Sequence, residues 1–397
     1  MLAERIPEIQ SALAEAGLDG WFFACFQQND PIALSLLGLA HEGKLVTRRC
    51  YYVIPREGEP RKLAHGLEPA MLDHLPGSKR IYRTWQEHRE ELARLVSGFP
   101  RLAAQYSPRN ELPTISRLDA GTVELLREAG VEVVSAADLA QSFAATWSAG
   151  QLETHRRANV RLHAIVLDAF HRVGDFLRRG DQLDEYTVQQ WIVQAFERDG
   201  LWSESHPIVG VNGNAADPHY QPGPDASQPI RRGDFLLIDL WAKEKAHADS
   251  IYADITWCGV CAPAPTDRQA EVFGIVAGAR DAAWELVRSR FPHQPVHGFE
   301  VDDAARNVIV QAGYGEFFIH RTGHSIGITD HGQGANMDNL ETHDTRRLLP
   351  MTGFSIEPGI YLTGDFGVRS EINVALTAAG AEITGGEPQR ELLRLLA

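Results

Sequence analysis

Cysteine is scarce: the chain of 397 residues has four, Cys25, Cys50, Cys258 and Cys261. So few thiols in so long a chain exclude a disulfide framework and fit a reducing compartment. Cys258-Gly259-Val260-Cys261 has CxxC spacing. No second pair completes a zinc ribbon, and a chance pair at a strand end is the plainer alternative to a redox role. Positive charge is short as well. Lys and Arg number 38 against 53 Asp and Glu, a formal charge of −15, which speaks against nucleic acid or an anionic membrane as partner. No apolar run has the length to cross a bilayer. Glu4, Arg5 and Glu8 interrupt any apolar core of a secretion signal. The expected location is cytoplasmic.

What is present is an ordinary globular composition, 44% hydrophobic and 23% charged. The length calls for two or three domains. Ile6, Ile9 and Leu13 recur at helical spacing, and Trp21–Phe26 and Cys50–Ile54 read as strands. Helices are expected over Arg83–Val96 and Val123–Glu128, and extended segments over Leu102–Tyr106 and Val131–Val134. This alternation predicts an α/β domain over residues 1–147. Thr146–Gly150 reads as a linker into a domain over 148–397. A long helix runs from Leu152 to Arg179, closed by Gly180, and a second from Tyr186 to Arg198. Extended segments follow at 205–211, 235–241, 251–257, 354–357 and 367–376, with helices near 268–290 and 300–312. That mixture predicts an α+β domain with an antiparallel sheet.

The chemistry gathers around Ile319–His331, where His320, His324 and His331 fall among glycines and β-branched residues. In an extended segment His320 and His324 share a face, and His331 needs a turn to rejoin them. Carboxylates flank this stretch in apolar surroundings. Asp239 lies in Phe235–Trp241 and Asp254 in Ile251–Trp257, and a hairpin would bring them together. Glu357 lies in Phe354–Tyr361 and Glu371 in Gly367–Val374. Buried acids side by side repel, and a cation between them is a natural remedy. Four carboxylates and one imidazole, without thiolates, suit a pair of divalent ions: manganese first, with cobalt, iron or zinc as options. Two such ions can hold a bridging hydroxide and polarise a carbonyl.

The order Asp239, Asp254, Gly323-His324, Glu357-Pro358-Gly359 and Val368-Arg369-Ser370-Glu371 resembles the M24 metallopeptidases of "pita-bread" fold, which include Xaa-Pro dipeptidases, aminopeptidase P, methionine aminopeptidase and creatinase. The resemblance covers about 150–385, and the first domain is similar to the creatinase-type N-terminal domain. It implies a curved antiparallel sheet. It implies that Asp239 chelates one ion, that Asp254 and Glu371 bridge both, and that His324 and Glu357 complete the second. Glu357 would also take up a proton. His219 would touch the substrate near the scissile bond, His331 would bond the reacting amide or the proline carboxylate, His320 would be a further substrate-side histidine, and Arg369 would lie near metal and substrate. The activity implied is cleavage of Xaa-Pro bonds, foremost in dipeptides, by a homodimer. Aminopeptidase P action on longer peptides, creatinase-like or lyase chemistry, and a non-catalytic binding protein remain as alternatives. Three departures bear on the pocket: fifteen positions from Asp239 to Asp254, longer than usual in the family; Trp257 where an arginine is common; and Gly332 and Asn373 where acids are common.

Overall fold

The structure, a computed structural model, describes residues 2–39 and 46–397. The chain divides into two compact units, Met1–Ala144 and Ala145–Ala397. The stretch read as a linker ends inside a helix: Ser148 caps Ala149–Arg179 through a capping box with Gln151.

The first unit is a six-stranded mixed sheet in the order Ser78–Tyr82, Arg61–His65, Cys50–Pro55, Gly20–Cys25, Arg101–Ala104, Glu132–Ser135. Gly20–Cys25 alternates its burial between two cores. Trp21 and Phe23 pack with Ile6, Ile9 and Leu13 of the helix Leu2–Glu15. Phe22 packs on the other face with Leu92 and Leu95 of the helix Trp85–Val96. The period of two in a strand assigns one apolar set to each face. The strands Arg61–His65 and Ser78–Tyr82 were not read from the sequence. Their alternation is masked by Arg61, Lys62, Lys79 and Arg80; Ser78–Tyr82 is the edge of the sheet, where charge is common.

In the second unit, the helices Ala149–Arg179 and Glu185–Arg198 and the hairpin Phe235–Glu244/Ala253–Val260 share one core. The helices Asp267–Arg290 and Gly298–Gln311 share another with that hairpin's opposite face and the strands near the C-terminus. The long hairpin pairs Asp239 with Thr256 and Asp254 with Trp241. A second sheet joins Ser325–Ile326, Thr352–Ile356, Ile372–Thr377 and Gly380–Ile383. The segment read as one extended run over 367–376 is two strands in two sheets. Phe366–Arg369 pairs with Gly359–Leu362, and Ile372–Thr377 with Thr352–Ile356. The break falls at Ser370-Glu371, so Glu371 emerges at a strand end rather than within a strand. Among the described residues no helix is long and apolar enough to cross a membrane.

His155 has no exposed surface in the long helix. Its Nδ1 lies 2.6 Å from the Tyr252 carbonyl and its Nε2 2.8 Å from the Thr384 hydroxyl. Burial holds its pKa down to about 4 from 6.5. A depressed imidazole pKa means that the unfolded chain takes up the proton first. Its stabilising contribution is full above the unfolded value and is lost as pH falls from 6.5 towards 4. Between pH 7 and pH 5 this amounts to about 2 kcal/mol. Urea midpoints at the two pH values should therefore fall less for His155→Gln than for the parent protein, and equal falls would contradict the assignment.

Candidate metal centre

The hairpin register places Asp239, Trp241, Asp254 and Thr256 on one face, because residues two apart in a strand point the same way. Glu357 directly follows Thr352–Ile356, and Glu371 directly precedes Ile372–Thr377. These strands end on the pair Ile356 and Ile372, so both glutamates leave the sheet at the same end. His324 directly precedes Ser325–Ile326, which pairs with Phe354 and Gly353. Three separate stretches of chain thereby deliver five side chains to one place. The His324 Nε2 lies 3.5 Å from both an Asp254 oxygen and a Glu357 oxygen. Asp254, His324 and Glu371 each offer a donor atom within 4.8 Å of the others. Arg369 donates to Asp239 through Nη2 and lies 3.9 Å from Glu357.

The unpaired acceptors of this cluster fit a cation. The His324 Nδ1–H donates to the Ser325 carbonyl at 3.1 Å, so in the neutral imidazole the lone pair is on Nε2. That lone pair faces carboxylate oxygens, which are acceptors as well. One oxygen each of Asp239, Asp254 and Glu371 is buried with no hydrogen-bond partner. A carboxylate oxygen without a donor costs several kcal/mol in such surroundings. Burial, reinforced by neighbouring carboxylates, pushes Asp254 and Glu371 well above the ordinary range, and burial raises Asp239 as well. Burial also acts upward on Glu357, but His324, His320 and Arg369 outweigh it and hold the group down. Orphaned hard oxygens around one imidazole lone pair are a donor set for divalent cations.

The backbone holds this set rigidly. The Ser355 hydroxyl lies 3.0 Å from both the His324 N–H and Glu357 Oε1. A Cβ at Gly323 would lie 1.9 Å from the Ser355 carbonyl oxygen, so only glycine lets the His324 segment sit so close to that strand. Asp302, fully buried, accepts from the Thr322 N–H at 2.9 Å and the Thr322 hydroxyl at 2.7 Å. Thr256 accepts from Arg369 Nε at 3.0 Å and donates to Glu371 at 2.9 Å. Asn373 accepts from the Asp254 N–H at 2.9 Å, a link an acid would also make.

These groups open into a cavity of about 1140 Å³ that His219, His320, His331 and Arg369 also line. His219 is exposed, on a loop anchored by Glu185. The buried Glu185 carboxylate accepts from Val211 N at 2.7 Å, the Tyr220 hydroxyl at 2.6 Å and Gln228 N at 2.8 Å. His331 does rejoin His324, their rings 4.1 Å apart, through a turn closed by Gly332 N–H to the Ser325 carbonyl at 2.6 Å. The neighbouring His324, together with burial, holds His331 below its ordinary pKa. His320 lines the cavity with its ring held by protein partners. Its Nδ1 is 2.7 Å from the Arg321 carbonyl and its Nε2 is 2.7 Å from the Tyr361 hydroxyl. Both ring nitrogens are engaged, and Tyr361 in turn accepts from Arg369 at 3.1 Å. Arg369 is nearly fully buried and reaches Asp239, Thr256 and Tyr361, so it braces the carboxylates. Sequence reading passed over Thr256, Tyr361, Arg321 and Asp330. Thr256 carries a signal, standing two residues after Asp254 on the same strand face. Asp330 carries none, since a loop has no period.

Residues 155–378 match metallopeptidase family M24. The chain belongs to this family. It is 27% identical to the probable dipeptidase PepE of Mycobacterium bovis over 390 residues, covering 96% of this chain and 93% of the relative. The likeness in fold to solved relatives extends over both units. The crystal structure of dipeptidase PepE from Mycobacterium ulcerans aligns with a TM-score of 0.72 and 25% identity over 99% of this chain and 98% of that one. The prolidase from Pyrococcus horikoshii aligns with a TM-score of 0.64 and 22% identity, over 98% of this chain and all of that one. The expected architecture, an α/β domain before a pita-bread domain with curved antiparallel sheet, is the fold observed.

A metal titration checks the donor set. Manganese, cobalt or zinc added to chelator-treated M24 protein should bind at about two equivalents and raise the melting temperature. His324→Ala should lose at least one equivalent, and Gly323→Ala should weaken binding without removing a donor. Unchanged stoichiometry in His324→Ala would contradict the site.

Proposed function

We propose that this M24 peptidase hydrolyses Xaa-Pro dipeptides with the help of two divalent ions, manganese foremost, held by Asp239, Asp254, His324, Glu357 and Glu371. The observation that carries the reading is the ring of unpartnered carboxylate oxygens around the His324 lone pair, at the floor of a cavity with a guanidinium in its wall. Bound ions would supply a nucleophile from water near neutral pH and polarise the scissile carbonyl.

The chain's own groups do the rest. Glu357 receives a proton at Oε2, the oxygen not hydrogen-bonded to Ser355. His331 and His219 line the cavity and donate to the peptide oxygen as charge develops there. Arg321 places its Nη2 3.4 Å from His331 Nδ1, where the two side chains can receive a C-terminal carboxylate. Ile208, Trp241 and Tyr252 offer apolar wall to a proline ring. Proline gives such a site its niche, because its imide nitrogen lacks a hydrogen and its ring fixes φ. The relatives named dipeptidase and prolidase support the same reading.

A second reading, aminopeptidase P action on longer peptides, is favoured by cavity size. About 1140 Å³ exceeds what a dipeptide fills. Hydrolysis of a Xaa-Pro dipeptide against a Xaa-Pro-Yaa tripeptide by the manganese-restored enzyme separates the two. Higher kcat/KM is expected on the dipeptide, and preference for the tripeptide would overturn the first reading. Arg321→Ala should raise KM for the dipeptide about tenfold, the loss of about 1.4 kcal/mol of binding, with a smaller effect on the tripeptide. An equal effect on both would remove Arg321 from the carboxylate role.

A further inference from the structure

We infer that Asp330 reads the substrate's free α-amino group, pairing its carboxylate with the ammonium of the first residue and so admitting peptides only at an unblocked N-terminus. The inference rests on the peptidase reading above and defines part of its substrate class.

Asp330 lines the cavity outside the set delivered by the sheets, as do Glu204, Asp217 and Glu341. It sits in the turn from Gly327 to Gly332, between the exposed Thr329 and His331. Its Oδ1 is buried and has no hydrogen-bond partner. Its Oδ2 is 3.7 Å from His331 Nε2, too far for a hydrogen bond, so the pair is not an acid orienting its imidazole. Arg321 acts on it electrostatically, but among the described residues no Lys or Arg lies within ion-pair distance of it. An anionic oxygen at the wall of a substrate cavity, without a donor, is matched by a cationic N–H brought by the ligand.

The position suits an α-ammonium in particular. One Asp330 oxygen lies within 4.8 Å of ring nitrogens of both His324 and His331. In any peptide the α-nitrogen is about 2.5 Å from its own carbonyl carbon, by bond lengths and the tetrahedral angle. A substrate whose first carbonyl lies beside His324 therefore carries its ammonium within reach of Asp330. The direction of approach separates this role from that of one more metal ligand. Asp239, Asp254 and Glu371 are nearly fully buried, whereas Asp330 is half-buried and comes from a loop on the open side, where ligand-reading groups are carried.

The test compares Leu-Pro with its desamino analogue, 4-methylpentanoyl-proline, on the manganese-loaded enzyme. The parent should prefer the amine. Asp330→Asn should shrink that preference on the order of tenfold, through KM rather than kcat, with metal content unchanged. Asp330→Glu should restore part of it. An unchanged preference, an equal loss on both substrates, or a lost metal ion in Asp330→Asn would overturn the inference. Should the parent cleave neither compound, the dipeptidase reading falls. Calorimetric titration of the same pair into the loaded protein then reads Asp330 alone: a preference for the amine that disappears in Asp330→Asn supports the role, and one that persists overturns it.

Discussion

The arrangement depends on acceptors meeting acceptors. The His324 Nε2 lone pair faces Asp254 and Glu357 oxygens, and the Asp239, Asp254 and Glu371 carboxylates each keep a buried oxygen without a donor. A protein interior tolerates this only where something positive completes it. Arg369, braced by Tyr361 and Thr256, supplies one positive charge beside Asp239. The remaining oxygens point to cations, and the M24 family is one whose members are metallopeptidases.

Holding mutually repelling groups together is work for the scaffold. The paired ends of two antiparallel strands hold Glu357 and Glu371, a hairpin register holds Asp239 and Asp254, and a glycine-tight crossing holds His324. Asp239 and Asp254 stand within strands, and His324, Glu357 and Glu371 each adjoin a strand end. The groups proposed to meet the substrate, His219, Arg321, Asp330 and His331, do come from loops and turns. Rigid elements thus carry the charge cluster, whose geometry must not relax, and adaptable segments carry recognition.

Alternation and apolar context, local properties, made the five candidate ligands legible in the chain. An acid in a strand of Leu, Ile and Phe, as at Asp239, needs a reason wherever the strand lies. The strands Arg61–His65 and Ser78–Tyr82 were not legible, because their charged residues hide the period of two. Nor was the break at Ser370-Glu371, since apolar residues continue on both sides and only the change of pairing partner reveals it.

The sequence by itself determined which side chains are available and, for Asp239 and Asp254, that each points to one face of its strand, because the pleat is set by the backbone alone. Tertiary structure decided what each one meets. His320 shares a short segment with His324, yet its two nitrogens are consumed by Arg321 and Tyr361, while Asp330 looks out unpartnered. Hydrogen-bond partners are fixed by residues far apart in the chain, and no local pattern encodes which donors will be left over.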